Sequence, residues 1–298
     1  MLVISPSHVS TASGRSSAAA LRRLVRLLLR VTRRNAAPGF MVIAAHPDDE
    51  VIGMGAHLLG CRDVTIVHTT NGSPDNGDDA RVHGFADARA YAAARWCEFQ
   101  AAAETLQIPQ HRTICLGVPD QRATLNLVAL TQEIELVLDV AQPIAVFTHA
   151  YEGGHPDHDA TAVATHAAAA RLRQRTGTSP LIVEMLGYHA DENGINTSTF
   201  LAPQKPAETS CACTLALSPQ QRELKQRLFR CFTTQQAVLQ PFGTERERFR
   251  LAPQYDFRLP PHPGRLFYEC FDWGMSGALF RECAADALNQ LLGRPAWG

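Results

Sequence analysis

Short apolar runs alternate along this chain with longer stretches in which hydrophobic residues recur at helical spacing among many alanines. The short runs predict strands at 40–45, 63–69, 112–117, 144–149 and 181–187. The longer stretches predict helices at roughly 50–60, 80–106, 126–141 and 156–173. Strands alternating with helices of that length build βαβ crossovers, hence a mainly parallel sheet covered by helices on both faces. Loops rich in Gly, Pro and Asp follow the strands, as in Asn71-Gly72-Ser73-Pro74-Asp75-Asn76-Gly77-Asp78-Asp79. A doubly wound α/β fold keeps its binding residues in such loops. Beyond residue 190 the pattern is less regular. A strand at 211–217 precedes a helix whose start is marked by Ser218-Pro219. A Pro- and Arg-rich segment, 240–265, then leads to a strand-like run from Leu266 to Phe271 and a final helix.

Composition narrows the function classes only a little. The 298 residues carry a formal net charge of -1, with no basic surplus to attract nucleic acid. Eight cysteines are scattered without a Cys-x-x-Cys pair, which suits buried or free thiols of a reducing, cytoplasmic setting. Cys211 and Cys213 would share one face of a strand and fill core. The one local asymmetry is at the N-terminus, where residues 1–34 hold seven arginines and no acid. Arg22, Arg23, Arg26 and Arg30 interrupt the leucines too often for a signal-peptide core. Such a basic amphipathic helix either docks on its own domain or lies on an anionic membrane surface. The expected organisation is a basic extension over 1–37, a domain over 38–240 and a C-terminal segment, 241–298, packed on that domain.

The chemistry concentrates in two clusters. Ala45-His46-Pro47-Asp48-Asp49-Glu50 closes the run Phe40–Ala44, and Gly154-His155-Pro156-Asp157-His158 follows the run Ile144–Phe147. Each taken alone has an ordinary reading, as acids at a helix N-terminus or a chance pair of surface histidines. Two such clusters at strand ends of one sheet point instead to a shared site. Neighbouring carboxylates in a turn diverge, so one of Asp48 and Asp49 can bind a metal while the other faces the reacting water. His155 and His158, three apart on a helix, share a face. Two histidines and a carboxylate leave an open coordination position, as in a catalytic zinc site. The same set can hold Fe(II) in an oxygenase, though a carboxylate beside the ligand serves hydrolysis. A non-catalytic carbohydrate-binding relative is a further alternative.

These paired motifs resemble the PIG-L/LmbE family of zinc-dependent N-deacetylases, over about residues 40–240. Further points of likeness are Arg95-x-x-Glu98, Pro119-Asp120, Lys225 and Thr234-Gln235-Gln236. The resemblance implies a Rossmann-like fold with a C-terminal elaboration, and removal of an acetyl or short acyl group from the 2-N position of an amino sugar. It implies zinc held by His46, Asp49 and His158, with Asp48 as general base. His155 would stabilise the oxyanion, oriented by Asp157, while Arg95 and Asp120 would hold substrate hydroxyls. The implied partner is a small-molecule or lipid-linked amino sugar.

Overall fold

The structure, a computed structural model, describes residues 22–28, 39–61, 63–192, 194–204 and 212–293. The N-terminal extension outside 22–28 and Cys211 lie outside the described residues. Residues 22–28 are helical (α1). The order then runs β1 (Phe40–Ala44), α2 (Asp49–Leu58), β2 (Val64–Pro74), α3 (Asp78–Val82), α4 (Ala88–Thr105), β3 (Thr113–Asp120) and α5 (Leu127–Ala141). It continues through β4 (Ala145–His149), α6 (Pro156–Thr176), β5 (Leu181–Met185), β6 (His189–Asp191) and β7 (Gly194–Asn196). The chain closes with β8 (Ala212–Ala216), α7 (Pro219–Cys231), α8 (Gln236–Leu239), β9 (Arg246–Leu251) and α9 (Gly277–Leu292).

Seven strands form one sheet in the order β3-β2-β1-β4-β5-β9-β8. The first five are parallel, whereas β9 and β8 extend the sheet antiparallel. The apolar run at 40–44 is uninterrupted because β1 is buried on both faces. Phe40, Val42 and Ala44 face a core shared with α1, α2, α4 and α7, while Met41 and Ile43 face one shared with α5, α6 and α9. From β1 the chain winds outward through β2 and β3 to one side, and from β4 through β5 to the other. The sheet therefore switches direction between β1 and β4, and both chemical clusters leave those two strands at their carboxyl ends.

Three expectations need correction. The helical stretch at 80–106 is two helices, α3 and α4, separated around Gly84. The run Leu266–Phe271 is not a strand: Phe267–Cys270 form a 3-10 turn. The Glu269 carboxylate accepts from the Leu266 and Gly277 N–H groups at 2.8 and 2.7 Å, folding the segment back on itself. The Arg-rich stretch before it contains β9. Its charged side chains are accommodated because Arg250 pairs with Glu184 and Tyr255, and Glu247 with Lys225 and His57.

In α1, Leu24, Leu27 and Leu28 are buried in the first core, with Arg22, Arg23 and Arg26 exposed. No helix among the described residues is long and apolar enough to cross a membrane.

Candidate metal centre

His46 and Asp49 come from the turn between β1 and α2, and His155 and His158 from the start of α6. His155 is the N-cap of α6, with its Nδ1 accepting the Asp157 N–H at 3.1 Å and Pro156 in the first turn. Gly154 is required before it: a Cβ there would lie 2.0 Å from the Tyr188 carbonyl oxygen. Asp48 precedes α2 in a strained conformation, φ 134° and ψ -26°, secured by its N–H donating to Glu50 Oε2.

The four side chains converge. Asp49 Oδ2 is 3.3 Å from His46 Nδ1 and accepts the His46 N–H at 2.8 Å, while its Oδ1 is 3.2 Å from His158 Nε2. His46, His155 and His158 can point one ring nitrogen each to within 4.8 Å of one another. All are buried. Burial disfavours charge on every member, but their mutual contacts override it for two. Asp120, Asp157 and Asp49 hold His46 well above its ordinary pKa, and His158 and His149 hold Asp49 well below its own. Burial dominates for Asp48, pushed up to about 8 despite Arg95, and for His155, pushed well down with help from His46.

The donor set fits a divalent cation. His46 Nε2 is 2.9 Å from Asp120 Oδ1. With one His46 proton held on Nε2 by Asp120, Nδ1 faces Asp49 Oδ2 at 3.3 Å, and the contacts that favour a second proton there mark the place a cation would take instead. A carboxylate on the far nitrogen of a ligating histidine is also the usual way its tautomer is fixed. His149 repeats the pattern. Its Nε2 accepts the Ala45 N–H at 2.9 Å yet lies 3.4 Å from Asp49 Oδ2, and its ring stacks on His158 at 4.0 Å. It thus lies against two residues of the centre, Asp49 and His158. His68 supports the centre from behind, bonding Glu50 at 2.8 Å.

Three other residues make contacts that the sequence did not imply. The Asp157 carboxylate does not touch His155; it accepts the Gln121 and Ala123 N–H groups at 2.6 and 3.0 Å and lies 3.4 Å from His46 Nε2. Arg95 is buried beneath the turn, donating to Pro47 O at 2.8 Å, Gly72 O at 3.1 Å and Asp48 Oδ2 at 3.1 Å. Asp120 engages His46, with His155 Nε2 at 3.7 Å. The other motif residues brace this layer. Glu98, one turn on from Arg95, accepts from Thr233 and Thr234, and Gln235 reaches Tyr91.

The rim of the centre was not legible in the sequence. Tyr188, following β5, packs against His158 at 5.3 Å between ring centroids, and Trp273 against His155 at 4.7 Å.

Residues 41–169 match the PIG-L family, described as GlcNAc-PI de-N-acetylase. No curated protein matches the chain. Three solved structures share its fold. The A40926 pseudoaglycone deacetylase Dbv21 is 21% identical with TM-score 0.55, over 74% of this chain and 99% of its own. A deacetylase of teicoplanin biosynthesis is 18% identical with TM-score 0.53, over 71% and 96%. The N,N'-diacetylchitobiose deacetylase of Pyrococcus horikoshii is 18% identical with TM-score 0.52, over 83% and 94%.

Proposed function

This chain is a PIG-L/LmbE-family protein over residues 41–169, and from that membership and its buried His/Asp cluster we propose that it is a zinc-dependent hydrolase releasing an acetyl or other short acyl group from the 2-nitrogen of an amino sugar or glycoconjugate. The observation that carries the reading is the convergence of His46, Asp49, His155 and His158 in one buried cluster, with Asp48 beside them in the same turn. The deacetylase activities named for structures of the same fold support an N-acetylated sugar as the substrate class.

His46 through Nδ1, Asp49 and His158 would hold the zinc. When bound, it supplies Lewis-acid polarisation of the amide carbonyl and a water of near-neutral pKa. Asp48 accepts the proton of the attacking water and returns it to the departing amine. Arg95 holds the Asp48 carboxylate in place for that transfer. His155, whose Nδ1 is engaged by the Asp157 N–H, presents Nε2–H to the developing oxyanion. Asp157 acts on His155 through the backbone and on His46 through its carboxylate. Asp120 fixes the His46 tautomer, and its second carboxylate oxygen would accept from sugar hydroxyls at the same edge. We extend the proposal to a peripheral contact of the basic extension with anionic membrane, through arginines that include the exposed Arg22, Arg23 and Arg26.

Zinc content and acetate release test the assignment together. Asp49→Ala and His158→Ala should each lose zinc on dialysis, read by elemental analysis. The zinc-loaded wild type should release acetate from N-acetylglucosamine glycosides. Full zinc occupancy in both variants would overturn the ligand set.

A further inference from the structure

Polar groups reach the metal centre from the β3 side of the sheet's switch point, and aromatic rings enter from the β5 side and close on His155. On the β3 side lie Asp120, the Asp75–Arg122 ion pair and Asp79. From the β5 side, aromatic rings form a continuous arc from His158 to His155, the N-cap of α6. Tyr188 contacts His158, Phe267 meets Tyr188 at 5.6 Å, and Phe271 meets Phe267 at 5.3 Å. Phe271 stacks on Trp273 at 4.5 Å and 12°, and Trp273 meets His155 at 4.7 Å. Phe267, Phe271 and Trp273 all come from the segment after the family-matched region.

The arc is not sealed. Tyr188, Phe267 and Trp273 are half-buried and Phe271 is 43% exposed, so the ring faces are open to a ligand at the rim of the site. Resting on the deacylase reading above, an amide held at the centre has two substituents of opposite character. Its nitrogen bears a polyhydroxylated sugar and its carbonyl carbon bears the acyl chain. Pairing polar with polar directs the sugar to the Asp120 side and the chain to the arc. Phe271 touches neither histidine and is separated from His155 by Trp273 and from His158 by Phe267 and Tyr188, so a chain longer than acetyl is needed to reach it.

We propose that the Tyr188–Phe267–Phe271–Trp273 arc is the acyl-chain subsite of this enzyme, and that it selects linear apolar chains longer than acetyl. Burial of each methylene contributes about fourfold in affinity, so contact of even two methylenes with the outer rings gives about a tenfold preference.

Two readouts on zinc-loaded protein test this. In the first, kcat/KM is compared for N-octanoyl- and N-acetylglucosamine. The wild type should favour octanoyl about tenfold. Phe271→Ala should remove most of that ratio and Phe271→Leu should restore it. In the second, octanoate and acetate are titrated calorimetrically, which requires no turnover. Octanoate should bind about tenfold more tightly, with the advantage lost in Phe271→Ala. If no N-acyl sugar is hydrolysed but octanoate keeps its Phe271-dependent advantage, the function reading fails and the subsite stands. If acetyl is hydrolysed as fast as octanoyl and the two acids bind alike, the subsite is overturned and the function reading stands. A Phe271→Ala loss equal for both chain lengths assigns the arc to the sugar ring and overturns the proposal as well.

Discussion

At the scale of single residues, the turn 46–50 concentrates opposed demands. Asp48 and Asp49 must diverge, and the strained backbone at Asp48 is what separates them, secured by Glu50 on its N–H and Arg95 on its carboxylate. The two acids therefore respond differently to mutation. Asp48→Asn should retain zinc by elemental analysis yet lose at least about a hundredfold in kcat, since an amide cannot accept the proton. Arg95→Ala leaves the Asp48 carboxylate and two carbonyl oxygens unpaired in a buried layer. It should cost about 3 kcal/mol in urea unfolding and lower kcat with zinc retained. The closeness of His46 to Asp49 in one turn, and of His155 to His158 at one helix start, was legible in the sequence because local geometry fixes such neighbours, whereas the choice of ligands among them came from the family resemblance alone. The approach of His149, the turn of Asp157 toward His46, and the placing of Arg95 under Asp48 were not legible. Each depends on which strands lie side by side, and one-dimensional spacing does not carry that.

At the scale of elements, the alternation of apolar runs and helical stretches was enough to find β1 to β5 and the major helices, since all but the half-buried edge strand β3 are buried along their length or on one face. It failed where local chemistry competes with pattern. Leu266–Phe271 has a strand's composition, but Glu269 caps its own turn and the segment folds back. β9 was hidden by its arginines, whose partners lie on β5 and after it. The same distinction governs α1. Its leucines are core, so deleting residues 1–38 should destabilise the whole protein by several kcal/mol, about 1.5 or more for each buried leucine. That makes deletion a poor test of membrane contact. Replacing Arg22, Arg23 and Arg26 by Gln leaves the buried face intact. It should weaken co-sedimentation with vesicles containing phosphatidylserine, and salt should release the wild type in the same assay. Vesicle binding unchanged by the triple replacement would exclude these arginines as the contact.

At the scale of the whole molecule, the two cores are joined across the sheet, and the C-terminal segment contributes to one of them as much as to the rim. Tyr255 and Phe257 pack on α6 around His166, with ring centroids at 5.6 and 5.5 Å. His166 Nε2 has no hydrogen-bond partner, and burial lowers its pKa from 6.5 to about 4. The consequence for stability has a definite sign. Between pH 6.5 and about 4 the unfolded chain binds a proton at this histidine that the folded chain excludes, so stability falls as pH falls through that window and is fully present above it. With the ring half-buried, the loss is about 2 kcal/mol. Other acids and histidines titrate over the same range, including those of the metal centre, so the comparison must be between variants. In His166→Leu the ring's contribution is absent while the rest titrate as before. Urea midpoints measured at pH 7.5 and pH 4.5 on chelator-treated protein should therefore converge in the variant relative to the wild type by that amount. An identical pH dependence in the two proteins would mean that His166 is protonated without cost, and that the packing of the C-terminal segment on α6 opens to admit water to the ring.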